Sequence, residues 1–271
     1  MEKEVKETQI NWQNLLIFTA VHILALTAIF YFTWTNVFIT FILLWFSLGW
    51  GIGIGYHRLL THRSFQSPKW FEYLLAILGC MTLQKGVISW VTTHRLHHAF
   101  TEQENDPHSP NNGFFWSHTG WMLFGVSQNY SFEVCQKYSP DLLQDKFYVY
   151  FEKLNLLPTI ITAILLYWFG GWGMMAWGIG VRTVISWHIT WGINSFAHKF
   201  GSQRFMTNEN SRNNAVLGIL AFGEGWHNNH HAFPTSARHG LVWYELDLSY
   251  LQIKLFEKLG LVKNVRVHSP K

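Results

Sequence analysis

Three imidazoles in Thr93-His94-Arg95-Leu96-His97-His98 stand at i, i+3 and i+4, spacings that fall on one face of a helix. His97 and His98 are neighbours about 100° apart on that helix, so they point at two different centres. Gly225-Trp226-His227-Asn228-Asn229-His230-His231 repeats the H-x-x-H-H pattern, and Tyr56-His57-Arg58-Leu59-Leu60-Thr61-His62 adds two more histidines. Eight histidines in three ordered clusters, in a chain with 15 His, are too regular for scattered surface or capping residues. Imidazole suits Zn, Cu, Fe and Ni, so ligand type alone does not name the metal. A zinc hydrolase keeps three protein ligands and an open position, and no H-E-x-x-H run occurs. Eight or nine histidines would instead furnish two metals. The Glu-x-x-His pattern of carboxylate-rich di-metal bundles is missing. A histidine-rich di-iron site is the economical reading, because iron activates O2 for attack on an unactivated C–H bond.

The elements that must position these clusters belong to a membrane protein. The 271 residues are 49% hydrophobic, 17% aromatic and only 13% charged, where a soluble domain carries about 25% charged residues. A mean hydropathy of +0.06 leaves much of the chain outside the bilayer. The net charge of +4 is dispersed and not interleaved with stacking aromatics, which excludes a nucleic-acid partner and fits a membrane-surface bias. Cys80 and Cys135 lack C-x-x-C spacing, so neither a disulfide framework nor a zinc knuckle is expected.

Residues 1–14 are polar and lack the apolar core of a secretory signal. Residues 15–34 and 37–55 are uncharged runs long enough to cross ~30 Å of hydrocarbon, joined by Thr35-Asn36 as a hairpin. The alternating glycines of Gly49-Trp50-Gly51-Ile52-Gly53-Ile54-Gly55 predict close helix packing; no strand precedes them to make a nucleotide loop. Trp70 to Leu83 is short for a span and reads as a partly buried or interfacial helix. Residues 157–169 and 174–196 form a second hairpin about Gly170-Gly171-Trp172-Gly173. Arg182 inside it must face protein, meeting a carboxylate or the surroundings of the metal site. Neither hairpin turn holds Lys or Arg, so the positive-inside rule puts both termini and every histidine cluster in the cytosol. The expected fold is an all-α membrane protein: one domain over 1–271, four transmembrane helices in two hairpins, and a cytosolic helical cap (56–156 and 197–271) holding the di-iron site.

The sequence resembles the integral-membrane fatty-acyl desaturases, in particular their Δ9-type branch. The residues that carry this are His57 to His62, His94 to His98, Gly223 to His231, Asp106-Pro107-His108, Phe114 to Trp121 and Trp191 to His198. The resemblance runs over roughly 49–234. It implies nine histidine ligands to two irons: His57, His62, His94, His97, His98, His198, His227, His230 and His231. It further implies that Asn194 reaches one metal through a water. His198 enters on the resemblance alone, since a lone histidine at a helix end otherwise reads as a cap. Glu224, just before the third cluster, reads either as an acceptor that orients a ligand imidazole or as an ordinary surface carboxylate. His22 and His188 read as hydrogen-bonded packing residues, His108 and His118 as neighbours of the metals or substrate wall, and His239 and His268 as surface residues.

The resemblance implies an O2-dependent oxidoreductase that introduces a cis double bond, Δ9 by its branch, into a saturated acyl chain. Electrons must come from outside, since no flavin or nicotinamide motif and no His-Pro-Gly-Gly haem segment is present. The donor is then a ferredoxin, with cytochrome b5 as the alternative. Animal acyl-CoA members place a basic pair after the Ser-His-x-Gly-Trp segment, whereas Met122-Leu123-Phe124-Gly125-Val126-Ser127-Gln128-Asn129 has no positive charge. Two missing phosphate-pairing cations, with the short chain, favour glycerolipid-bound over CoA-bound substrate. A hydroxylase or alkane monooxygenase shares such histidine boxes, but the Gly-Glu-Gly-x-His and Asp-Pro-His contexts argue against it. A metal transporter would place its site near the bilayer midplane, not at one surface.

Overall fold

The computed structural model describes residues 9–124 and 129–268. Within them the regular structure is helical, with only isolated bridges and no strand. Three helical runs are long and apolar enough to cross a membrane: Trp12–Tyr31, Trp34–Thr61 and Leu157–His198.

The first two, α1 (Trp12–Tyr31) and α2 (Trp34–Thr61), meet at a two-residue break. Thr33 caps α2 by accepting the Asn36 N–H at 3.1 Å, while Asn36 Nδ2 donates to Tyr31 O at 2.8 Å. These bonds satisfy orphan groups on both sides of the break. α2 runs past residue 55, the end expected from hydropathy, to Thr61. From Trp45 it is wound with i→i+5 hydrogen bonds, a rare form found mostly at functional sites. His62 N–H continues the pattern by donating to His57 O at 3.1 Å. Residues five apart therefore stack, and the His57 and His62 rings lie 4.8 Å apart.

The glycines of α2 receive α3 (Lys69–Cys80). A Cβ on Gly51 would lie 2.3 Å from Gly79 N, and one on Gly79 would lie 2.4 Å from the Tyr56 ring. Only hydrogen at both positions allows this approach. Phe71, Leu75 and Ala76 are buried in the contact, while Trp70 and Leu74 stay exposed. α4 (Val87–Phe100) carries the central histidines. Its first turn is capped from α5 (Lys146–Lys153), whose Glu152 carboxylate accepts the Ile88 N–H at 2.7 Å and the Ser89 hydroxyl at 2.5 Å.

The third run spans 42 residues, about 63 Å as one helix, twice the hydrocarbon thickness. Gly171 interrupts it, at φ 66° and ψ −162°. α6 (Leu157–Met175) and α7 (Arg182–Ser195) lie on either side of the wide turn Ala176–Val181. This bend packs on the end of α1: Trp172 Nε1 donates to Thr27 Oγ1 at 3.0 Å and Trp177 Nε1 to Ala28 O at 2.9 Å.

Arg182 departs from expectation. It is fully buried but meets no carboxylate among the described residues: Nε donates to Gly178 O at 3.0 Å and Nη1 to Met81 O at 2.5 Å. The end of α3 offers free carbonyls, and Trp187 Nε1 takes the next, Thr82 O, at 2.8 Å. Arg182 thus fastens α7 to α3. The chain closes with α8 (Ala215–Leu220), α9 (His227–Ala232) and α10 (Leu248–Lys258).

Candidate metal centre

Four elements converge at the end of α2. Five histidines, His57, His62, His94, His98 and His230, each offer a nitrogen within 4.8 Å of the others, and His97, His198, His227 and His231 form a second group. The division follows helix geometry. On α4, His94 and His98 are one turn apart and face the first group, while His97 is rotated to the second. On α9, His227 and His231 share the second group and His230 faces the first. His198, just beyond α7, completes the second group. Asn194 lines a cavity beside His57, His94 and His227.

The nitrogens face inward. His57 Nε2 lies 3.1 Å from His230 Nε2, His230 Nε2 2.9 Å from His98 Nε2, and His198 Nε2 3.1 Å from His227 Nε2. Two nitrogens each about 2.1 Å from a shared metal and at right angles to one another are about 3.0 Å apart, so these spacings fit ligation. His62 Nε2 and His231 Nε2 are buried with no hydrogen-bond partner among the described residues, a cost that a metal would remove. The charge state fits as well. Burial and then the neighbouring imidazoles push His94, His97, His227, His230 and His231 well below the ordinary histidine range, and His98 down to about 3. Neutral imidazoles are the ligand form.

Carboxylates set the tautomers from outside. Glu224 Oε2 accepts from His57 Nδ1 at 2.5 Å, Asp106 Oδ1 from His97 Nδ1 at 3.0 Å, and Glu102 Oε1 from His198 Nδ1 at 2.9 Å. Each holds a proton at Nδ1 and leaves the Nε2 lone pair directed inward. Glu224 is itself anchored by buried Arg58, whose Nη2 lies 2.9 Å from Glu224 Oε1 and 2.9 Å from Asp247 Oδ1. Burial raises the Glu224 pKa, but the Arg58 guanidinium outweighs it and holds the carboxyl well below the usual range.

Two small cavities reach the histidines from the apolar side. One, of about 60 Å³, is lined by Leu48, Ile52, Ile193 and Ala221 together with His57 and His227. The other, of about 40 Å³, is lined by Gln84, Thr93, His108, Trp121 and Met122. Both include Trp90, His94, Thr190 and Asn194, so they meet at the first histidine group. Gln84 bridges this meeting point: Nε2 donates to Thr190 Oγ1 at 3.1 Å, and Oε1 accepts from Trp90 Nε1 at 3.4 Å.

A family model described as "Fatty acid desaturase" matches residues 32–254. The chain belongs to the fatty acid desaturase family. It is 43% identical over 265 residues to an sn-1 stearoyl-lipid 9-desaturase of Anabaena variabilis, covering 97% of this chain and 96% of that one. An sn-2 palmitoyl-lipid 9-desaturase of Nostoc sp. (strain 36) is 42% identical, with 97% and 92% covered. An acyl-CoA 5-desaturase of Anemone leveillei is 42% identical, with 94% and 79% covered. This desaturase is accordingly an oxidoreductase acting on fatty-acyl chains.

The desaturase's site contains residues that spacing does not reveal. Glu102, Asp106 and Glu209 flank the second group; Asp106 stands in the Asp106-Pro107-His108 segment that carries the resemblance, without a role implied for it, and Glu102 is signalled only by following the His94 cluster closely in a chain with 16 acidic residues. His239, expected at the surface, is 1% exposed. Its Nδ1 lies 3.3 Å from Arg58 Nη2 and 3.4 Å from Glu224 Oε2, and its ring lies 4.5 Å from that of His230. The Asp247 carboxylate pulls this loop inward by accepting the His239 N–H at 2.7 Å. His22, His188 and His118 instead form a separate chain, with His22 Nε2 3.3 Å from His188 Nε2 and His188 Nδ1 3.0 Å from His118 Nε2. His108 sits beside Asp106 at 3.7 Å, and exposed His268 contacts Thr235 at 3.1 Å. Of the uncharged stretch after Trp121, residues 125–128 lie outside those described.

Proposed function

We propose that this desaturase introduces a cis Δ9 double bond into a saturated acyl chain esterified to a glycerolipid, using O2 and two irons held by the nine histidines. The observation that carries this reading is that two adjoining imidazole groups border two largely apolar cavities that meet at His94. The choice of glycerolipid and of Δ9 is supported by near-full-length similarity to acyl-lipid 9-desaturases. Acyl-CoA is the second reading, favoured by the similarity to an acyl-CoA 5-desaturase.

Bound at the two groups, iron supplies O2 reduction and removal of hydrogen from an unactivated methylene. The chain's own residues do the positioning. Leu48, Ile52, Ile193 and Ala221 exclude water from the acyl chain, and the Gln84 bridge to Thr190 and Trp90 fixes the walls where reacting carbons pass His94. Holding two methylenes in register there is the entropic part of catalysis. Glu224, Asp106 and Glu102 retain the Nδ1 protons, so that the ligand nitrogens stay available. Asn194, exposed to both cavities, would reach one metal through a water.

We read the membrane topology as four spans, α1, α2, α6 and α7, with 1–271 as one domain. The break at Gly171 and the packing of the two hairpin bends on each other support this. His57, His62 and His198 lie at the opposite ends of α2 and α7 from those bends, which supports a site at one surface. Lys and Arg are absent from both bends, so that surface, with both termini, is cytosolic. Two electrons per turnover come from a ferredoxin, or from cytochrome b5.

The test is expression in a host without desaturases, with a ferredoxin supply, followed by gas chromatography–mass spectrometry of each lipid class. Δ9 monoenes in glycerolipids are expected. Hydroxy acids, or monoenes confined to the acyl-CoA pool, would overturn the proposed reaction or carrier respectively.

A further inference from the structure

The histidine assembly has two unlike sides. His57, His94 and His227 face the small apolar cavities. His62, His98 and His231 line an open bowl of about 870 Å³ on the other side, walled by Arg95 and the loop from Phe205 to Glu209. His62 and His98 belong to the first nitrogen group and His231 to the second. Both groups are therefore one imidazole away from the bowl. Met206, on its rim, is fully exposed and offers a flexible, adaptable apolar contact to a visiting surface.

A basic groove of about 530 Å³ adjoins the bowl, because Arg63 lines the groove and His62, the preceding residue, lines the bowl. The groove carries Arg63, Lys69, Lys263 and Arg266 against Glu72 and Asp141. Arg63 pairs with Asp141 at 2.8 Å and Lys69 with Glu72 at 2.7 Å. Lys263 and Arg266 are exposed and have no acidic partner among the described residues. Inside the bowl, Arg95 is committed to Asp141 at 2.7 Å and to Leu60 O at 2.7 Å. Among the described residues, a phosphorylated nicotinamide would find no free cation beside the histidines. The free charge lies to one side, as a wide acidic protein footprint requires.

Resting on the desaturase reading, the chemistry demands such a visitor: R–CH2–CH2–R′ + O2 + 2 e⁻ + 2 H⁺ gives R–CH=CH–R′ + 2 H2O. Two of the four electrons that reduce O2 come from the C–H bonds and two from outside. We propose that the bowl and the basic groove together form the docking face for a small acidic one-electron carrier of ferredoxin type. Lys263 and Arg266 steer the carrier, Met206 seats it, and electrons enter at the His62–His98–His231 edge.

The experiment uses the purified, iron-loaded enzyme in detergent and compares wild type with Lys263→Glu/Arg266→Glu and with Met206→Asp. Affinity for oxidised plant-type ferredoxin is read from chemical-shift titration of the labelled ferredoxin. Turnover is read with reduced ferredoxin and, separately, with reduced methyl viologen. The double charge reversal should weaken ferredoxin binding and raise its KM by about tenfold or more, and flatten the salt dependence. Met206→Asp should weaken binding severalfold, and viologen-driven turnover should be unchanged in both. Unchanged ferredoxin affinity, or equal loss with both reductants, would overturn the docking face. A wild-type enzyme that binds ferredoxin at this face yet forms no double bond with either reductant would instead sink the desaturase reading.

Discussion

Glu224 Oε2 lies 2.5 Å from His57 Nδ1, while Glu224 Oε1 lies 2.9 Å from the guanidinium of fully buried Arg58. Consecutive residues on α2 therefore grip the two oxygens of one carboxylate, and the ring of His57 cannot turn without breaking a charged contact. Glu224→Gln keeps the shape and removes the charge. Loss of an outer partner of a ligand imidazole typically costs 10–100-fold in metal affinity. Iron retained after dialysis against a graded chelator should fall by about that factor, with circular dichroism unchanged; equal retention would show that Glu224 does not hold His57.

The Gln84–Thr190 hydrogen bond of 3.1 Å joins the turn before α4 to α7 where the two cavities meet. Thr190→Val conserves volume and removes the acceptor, leaving a buried Gln84 amide unsatisfied at a cost of about 1–3 kcal/mol. The walls at the reacting carbons should loosen. Double bonds should then spread to carbons flanking the wild-type position, measured by mass spectrometry of derivatised monoenes. A single unchanged position would assign register to other residues.

Much of this arrangement is legible in the sequence, and the limits have physical causes. Helical spacing alone separates His97 from His94 and His98, because 100° per residue is a local property. The relation between His57 and His62 is less local: five residues form one turn only in the wide i→i+5 winding. His239 was not legible at all. Its polar surroundings read as surface, yet Asp247 draws the loop inward, an effect of tertiary folding. Arg182 shows the same limit, since a charge buried in a span requires acceptors and the sequence does not say that they are carbonyls of α3. Glu102 and Asp106 follow the central cluster closely, but only the folded chain aims them at His198 and His97.

Gly51 and Gly171 should respond oppositely in mechanism. A Cβ on Gly51 would fall 2.3 Å from Gly79 N, whereas one on Gly171 meets nothing within 4 Å. Gly51→Ala forces α2 and α3 apart, and overpacking of that kind costs about 1–3 kcal/mol, occasionally more. Gly171→Ala has the space but pays for φ +66° with ψ −162°, a region essentially confined to glycine, about 1–3 kcal/mol. The Gly51 Cβ meets backbone atoms that cannot rotate away, so Gly51→Ala belongs at or above the top of its range. Thermal unfolding in detergent, followed by size-exclusion fluorescence, should show the larger loss for Gly51→Ala. That variant should also lose iron, because α2 carries His57; a larger loss at Gly171 would contradict the α2–α3 packing.

Burial and mutual repulsion hold His94, His97, His227, His230 and His231 well below the ordinary histidine range and His98 down to about 3, while in the unfolded chain they protonate near 6.5. Below that value the unfolded state binds more protons than the folded state, so stability must rise with pH and fall as the solution is acidified. The iron-free protein should therefore lose melting temperature steadily from pH 7 to pH 5. Bound iron adds a term of the same sign, since protons compete for the ligand nitrogens. His98→Asn removes one protonation site and should flatten the iron-free slope between pH 6.5 and 5. Differential scanning fluorimetry of both proteins across that range decides the matter: a wild-type melting temperature that is flat or rises on acidification would mean that the histidines are already protonated in the folded state.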